Sequence, residues 1–298
     1  MSNEHFLPGL SVIADQYDVI LCDIWGVVHN GKAAYTRACD ALVRFRRMGG
    51  TVVLVTNAPR PFPPILKQLE LLKVPAEAFD RMVTSGDVTL RFLAERGNAP
   101  LYHIGPERDL AFFEILTDQT GLNPPRVDLE HADYVICTGL FHDEYETPDH
   151  YAASFDVMLR RKLDFISANP DLIVHVGDKE MYCAGALAHR YEQMGGRVIQ
   201  AGKPFGPIYE RALAIATEVR GKPFDKKRVL AIGDALRTDI RGAADQGLDA
   251  LFVTQGIHRA ELHPSDTREL GPFAAAAYQK AITAAGLNPR AVMQELSW

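Results

Sequence analysis

Asp23 follows the apolar run "VILC", Thr56 and Asn57 follow "VVLV", Lys203 follows "RVIQAG", and Asp234 follows "VLAIG", with Asp239 five residues later. Each of these polar residues stands where a buried strand would end. In an open parallel sheet, ligands bind beyond the carboxyl ends of the strands. Carboxylates, a lysine and a hydroxyl converging on one such edge suit Mg²⁺ and a phosphoryl group. Mg²⁺ takes hard oxygen ligands, keeps several waters and also touches substrate phosphate. Lysine adds a mobile cation for the remaining phosphate oxygens, and Thr56 adds a hydroxyl donor. A metal-clamped carboxylate can attack phosphorus and form an aspartyl phosphate, splitting one hard displacement into two steps. Taken singly, each element has a plain account: a strand-end aspartate as a turn or helix cap, "TN" and "GKP" as loops, "GDALRTD" as a strand end before a capped helix. Their order on successive strands is what singles them out.

The elements that must position these residues are legible as alternating patterns. "YDVILC", "TVVLVT" and "RVLAIGD" are short, continuously apolar runs of the kind found in central parallel strands. Between the first two, Ala38, Leu42, Phe45 and Met48 recur at three- and four-residue steps, and Gly49–Gly50 stops the helix. The same β-α-β pattern is read after residue 197, in "GRVIQAGKP", a helix through "PIYERALAIATEV", and "RVLAIGD". The predicted fold class is α/β: a Rossmann-like, doubly wound parallel sheet. Residues 87–200 show their own alternation. "PLYHIG", "ADYVICTG", "LDFISAN" and "DLIVHVG" read as strands; "ERDLAFFEIL" and "DHYAASFDVMLRR" read as helices. The expected organisation is a core of residues 1–86 and 201–298 with an α/β cap of residues 87–200 inserted in it. Short hinges are expected near "TSGD" (84–87) and "IQAGK" (199–203), and "FAAAAYQKAITAAG" near the end reads as a packed helix.

At 298 residues, 47% hydrophobic and 23% charged, the chain has an ordinary globular composition with room for two moderate domains. A net charge of −6 without blocks of like charge argues against nucleic-acid or membrane-surface partners. The first residues lack the basic segment of a signal peptide, and no apolar run approaches the roughly 20 residues of a membrane helix. Cys22, Cys39, Cys137 and Cys183 are far apart, with no CxxC pair, and read as reduced, packed thiols. A cytoplasmic protein is the expectation.

The strand-end order resembles the haloacid-dehalogenase-like (HAD) superfamily, and within it the class IIA (NagD-type) sugar-phosphate, nitrophenyl-phosphate and pyridoxal-phosphate phosphatases. "DIWGVVHNG" is similar to motif one, "VTNAPRP" to motif two, "AGKP" to motif three and "GDALRTD" to motif four. "VTSGD" and "SANPD" are similar to segments flanking and inside the class IIA (C2-type) cap. The resemblance implies that Asp23 is nucleophile and Mg²⁺ ligand. Thr56 and the Asn57 amide would hold phosphoryl oxygens, with Lys203 neutralising charge on them and on Asp23. Asp234 would be the second carboxylate at the metal, and Asp239 would hold the metal's waters or Lys203. Residue 25 would bind Mg²⁺ through its backbone carbonyl, which a tryptophan can do. The substrate would be a small phosphoester and the assembly a homodimer.

Trp25 departs from the pattern, because the family's aspartate at this place also protonates the leaving oxygen. Such proton transfer contributes about 10²- to 10⁴-fold, and an indole N–H does not titrate usefully. Aryl, acyl or enol phosphates would suffer less than alkyl esters. His29, His142 and His175 are alternative sources of the proton. Two further readings stay open: a phospholigand-binding or regulatory module without turnover, and a dehalogenase, whose halide leaves without a proton. Ala58 replaces a further asparagine common in class IIA. Arg60, in the stiff "PRP" segment, is a candidate for a second anionic group on the substrate. Asn169 and Asp171, in "ANPD", are candidates for facing the leaving group, or simply form a turn.

Overall fold

The computed structural model describes residues 6–176, 179–265 and 271–298, apart from the side chains at positions 175 and 176. The side chain of His175 therefore lies outside the described set. In chain order the strands are β1 (Val19–Cys22), β2 (Thr51–Thr56), β3 (Arg81–Thr84), β4 (Leu101–Ile104), β5 (Tyr134–Cys137), β6 (Asp164–Ser167), β7 (Ile173–Val176), β8 (Lys179–Tyr182), β9 (Val198–Gln200), β10 (Val229–Gly233), β11 (Asp249–Val253) and β12 (Ala291–Met293). The chain divides into two compact units. One comprises Met1–Thr56, Leu66–Met82 and Tyr209–Trp298; the other comprises Asn57–Ile65 and Val83–Ile208.

The first unit is built on a six-stranded sheet in the order β12-β11-β10-β1-β2-β3, and the chain leaves for the second unit within β3. β1 runs parallel to both β10 and β2, with Cys22 in register with Ile232 and Leu54. Every residue of β1, β2 and β10 is buried, as continuous apolar strands covered on both faces require. This alignment brings the ends of β1, β2 and β10 side by side. Asp23, Thr56 and Asp234 therefore emerge together. The helix Thr36–Arg47 buries Ala38, Ala41, Leu42 and Phe45, and its last turn carries Arg44, Arg46 and Arg47, suited to the negative end of the helix. Met48, predicted on the same buried stripe, is instead 58% exposed. The helix has already ended at Arg47, and Gly49, at φ 88°, turns the chain out of the stripe.

The second unit has a four-stranded parallel sheet in the order β4-β5-β6-β9. Val135 and Cys137 of β5 pack with Phe155, Met158, Leu187 and Tyr191 on one face. Tyr134 and Ile136 pack with Leu90, Leu93, Phe112 and Leu116 on the other. Helices thus cover both faces. Two expectations are corrected here. "GRVIQ" reads as the first strand of a β-α-β unit with "RVLAIGD", but β9 pairs with β6, Phe165 against Val198. It closes a strand–helix–strand crossover through the helix Ala184–Gln193, a shorter route than crossing to the other sheet. "DLIVHVG" was assigned to the same alternation, but β7 pairs antiparallel with β8 in a separate two-stranded sheet. The Asn169–Asp171 turn separates it from β6 by too little chain for a parallel crossover. The expected late helix is present as Ala275–Ala285, burying Tyr278 and Ile282.

Candidate functional site

Three carboxylates meet at the end of the first unit's sheet. Asp23 continues β1, its N–H donating to the Ile232 carbonyl of β10 at 2.8 Å. Asp234 follows β10, and Asp239 lies one turn on, in the π-helical segment Leu236–Ile240. All three are buried, and each offers an oxygen within 4.8 Å of the others. The side chains are aimed by the backbone. The Ile257 N–H donates to Asp234 Oδ2 at 2.7 Å, and the Ala235 N–H to Asp239 Oδ2 at 3.0 Å.

Two glycines leave room for the Asp234 carboxylate. A Cβ on Gly26 would stand 2.0 Å from its Oδ2, and one on Gly256 would stand 1.8 Å away. Gly26 also has φ 84°, a conformation that favours glycine. Gly256 and Ile257, in the loop after β11, are site residues that sequence reasoning missed. Their signal is a "TQG" at another strand end. Replacing Gly256 by alanine is expected to displace the carboxylate and weaken divalent-cation binding about 10- to 100-fold, the range typical of residues that orient ligands. Calorimetric titration of the metal-free protein measures it. Unchanged affinity would remove Asp234 from the metal site.

The loop carrying Trp25 is a closed turn, in which the N–H groups of Val28 and His29 both donate to the Ile24 carbonyl and Gly26 N–H donates to the His29 carbonyl. The indole lies edge-on to the His29 imidazole, with centroids 5.2 Å apart, and covers Gly31, where a Cβ would come within 2.5 Å of it. His29 is buried, and burial pushes its pKa down to about 4. Its Nδ1 accepts the Gly31 N–H at 3.0 Å. Burial therefore favours the neutral imidazole of His29. His142 lies in the second unit, exposed and stacked on Tyr145 at 5.2 Å.

In the second unit, Asn57 ties three loops together. Its Nδ2 donates to Asp171 Oδ1 at 2.9 Å and to the Lys203 carbonyl at 3.1 Å, while its Oδ1 accepts the Lys203 N–H at 2.7 Å. Gly202 permits this approach, since a Cβ there would stand 2.4 Å from Asn57 Oδ1. Asn169 accepts the Asp171 N–H at 2.9 Å, holding the "NPD" turn. Thus Asn57, Asn169, Asp171 and Lys203 are brought together, with Asn57 and Lys203 buried. Arg60 is half-buried, and its backbone is packed so closely on Gly86 that a Cβ there would meet the Arg60 carbonyl carbon at 2.5 Å.

An open parallel sheet binds ligands beyond the carboxyl ends of its strands, and here that edge gathers three buried carboxylates. Comparison with known proteins agrees. Residues 20–116 match the model of a haloacid dehalogenase-like hydrolase and residues 200–290 that of a HAD-hydrolase-like segment. The chain is similar to the crystal structure of a haloacid dehalogenase-like hydrolase from Brucella suis 1330, at 44% identity and TM-score 0.83, covering 97% of this chain and all of that one. It is 28% identical to the ribonucleotide monophosphatase NagD of Escherichia coli over 80% of this chain and 88% of that protein. It is 22% identical to the 4-nitrophenylphosphatase of Schizosaccharomyces pombe over 83% and 87%. The chain belongs to the haloacid dehalogenase-like hydrolase family.

Proposed function

We propose that the protein is a Mg²⁺-dependent phosphomonoester hydrolase that works through an aspartyl phosphate on Asp23. The observation that carries this reading is the set of three buried carboxylates, Asp23, Asp234 and Asp239, with oxygens within 4.8 Å of one another. The donor set fits Mg²⁺, which prefers oxygen ligands. Asp23, Asp234, Asp239 and the backbone carbonyl of Trp25 would hold the ion. When bound it supplies charge neutralisation and Lewis acidity to the phosphoryl oxygens.

The remaining roles fall to the chain's own groups. Asp23 attacks phosphorus. The Thr56 hydroxyl, the Asn57 amide and the Lys203 ammonium hold the phosphoryl oxygens. Asn57, braced by Asp171 and Asn169, sets the position of Lys203, and Arg60 receives a further anionic group on the substrate. Residues 87–200 act as the cap that chooses the leaving group, on a core of 1–86 and 201–298. The substrate is a small phosphoester, consistent with relatives named as phosphatases of nitrophenyl phosphate and ribonucleotides, and the working form is a cytoplasmic homodimer. Among the described residues, no helix is long and apolar enough to cross a membrane.

The test is phosphate release from a panel of alkyl, aryl and acyl phosphates with Mg²⁺ added and then chelated. Release that depends on Mg²⁺ is expected. An inert protein that still binds inorganic phosphate would instead favour the non-hydrolytic binding module. Halide release from a haloacid that persists without metal would favour the dehalogenase.

A further inference from the structure

Asp239 sits in a segment whose start is held by the loop of another strand. Leu236–Ile240 is π-helical, a local widening that is rare and recurs at functional sites. The first N–H groups of a helical segment have no partner within it. Here the Ala235 N–H goes to Asp239 Oδ2 at 3.0 Å, and the Leu236 N–H goes to His258 Nε2 at 3.3 Å. Ala235, at the capping place, has no side chain that could accept it, and Leu236 is buried. The acceptor is instead brought in from the loop after β11, 22 residues further along the chain.

That loop grips the same turn twice. One residue before His258, the Ile257 N–H donates to Asp234 Oδ2 at 2.7 Å. Both grips exist because β10 and β11 run parallel with Gly233 beside Phe252, so their loops leave the sheet together. His258 is itself fixed on its remaining sides. Its ring stands edge-on to Phe252 at 5.8 Å, and its Nδ1 lies 3.5 Å from Glu261 Oε2. Its carbonyl accepts the Leu262 N–H at 2.9 Å, at the start of the short helix Arg259–Leu262. A ring nitrogen that accepts an N–H carries no proton, so the ring hydrogen belongs on Nδ1, the side of Glu261. Burial, the largest influence on the His258 pKa, favours that neutral form. All of these residues belong to the first compact unit.

We infer that His258 is a positioning residue of the metal site: by accepting the Leu236 N–H, it sets the turn that joins Asp234 to Asp239. The inference rests on the Mg²⁺ reading proposed above. An aspartate at such a turn commonly accepts the N–H two residues on, and two residues after Asp234 stands Leu236. His258 competes with that local turn, which favours an Asp234 carboxylate aimed at Ile257 and the other two aspartates. Mg²⁺ demands near-ideal octahedral placement of its oxygens, so a carboxylate rotated into its own turn costs affinity. In this role His258 acts on the ion only through the carboxylates.

The experiment titrates Mg²⁺ calorimetrically into the metal-free full chain, as wild type, His258→Gln and His258→Asn. The two variants carry the same amide and differ in reach. The glutamine oxygen can stand where Nε2 stands, whereas the asparagine oxygen stops near the place of Nδ1. His258→Gln should keep Mg²⁺ affinity within a few-fold of wild type. His258→Asn should lower it about 10- to 100-fold, the range typical of residues that orient ligands, and amide hydrogen exchange at Leu236 should quicken in this variant alone. Affinity is read per folded molecule, so a loss of stability common to both variants does not imitate the split. Equal affinities in all three proteins, or equal losses in both variants, overturn the role of His258 and leave the metal site standing. A wild type that binds no Mg²⁺ overturns the metal reading itself, and the inference with it.

Discussion

Changing Asp23 to asparagine is expected to abolish Mg²⁺-dependent phosphate release, by about 10⁴-fold or more as for other nucleophile replacements, while making the metal-free protein harder to unfold. The two effects have separate causes. Asparagine matches aspartate in shape, and the N–H that bonds the Ile232 carbonyl at 2.8 Å is unchanged. An amide oxygen, however, is a far weaker nucleophile than a carboxylate and a poorer ligand for Mg²⁺. The stability gain follows from Asp23, Asp234 and Asp239 having oxygens within 4.8 Å of one another while buried. Like charges at that range repel by about 3.5 kcal/mol per pair at an effective dielectric near 20, and donors such as the Ile257 N–H work against that repulsion. Removing one charge should raise the metal-free melting temperature by several degrees. It should also shrink the further rise that Mg²⁺ produces, because binding to the native state alone is what stabilises. Scanning calorimetry with and without Mg²⁺ reads both. A variant that loses activity while melting lower without metal would show a folding defect, and the carboxylates would not be a repelling cluster.

The carboxylate site was legible because it depends on short-range facts. A continuous apolar strand is buried on both faces, its first polar residue must emerge at the sheet edge, and three such strands are neighbours in register. Asp23, Thr56 and Asp234 follow from that, and Asp239 from the turn after Asp234. The sheet to which a strand belongs is a different kind of fact. The "VI" of "VIQ" begins like that of "VILC", and only the crossover through the helix Ala184–Gln193 gives it to β6. The same limit hid Gly256 and Ile257. Their relation to Asp234 spans more than twenty residues and exists only because β11 lies beside β10. His29 shows the converse. It is close to Asp23 in sequence, yet burial beside Trp25 favours its neutral form.

Asn57 offers the sharpest contrast between shape and hydrogen-bond polarity. Replacing it by leucine keeps the volume but removes two donated bonds and one accepted bond, the two to Lys203 buried and the one to Asp171 part-buried. At about 1–3 kcal/mol for a buried polar group that loses its partner, the second unit should lose about 2–4 kcal/mol. Because the lost bonds hold the Lys203 backbone, phosphate affinity should fall as well. Asn57→Asp is expected to be worse at neutral pH although it changes fewer atoms. The new carboxylate can still accept the Lys203 N–H, but where Nδ2 donated it now sets an oxygen about 2.9 Å from Asp171 Oδ1 and another acceptor against the Lys203 carbonyl. Two anions at that separation, one buried and one half-buried, repel strongly enough that one binds a proton, and the variant's stability should rise as pH falls toward 5. Adding Asp171→Asn restores a donor between the two side chains with its direction reversed. The pair should then recover about 1–2 kcal/mol relative to the sum of the single changes, the size expected for coupled neighbours. The Lys203 carbonyl still faces an acceptor, so recovery stays partial, and denaturant midpoints of the four proteins measure it. Strictly additive losses would mean that residues 57 and 171 do not share the bond that holds Lys203 in place.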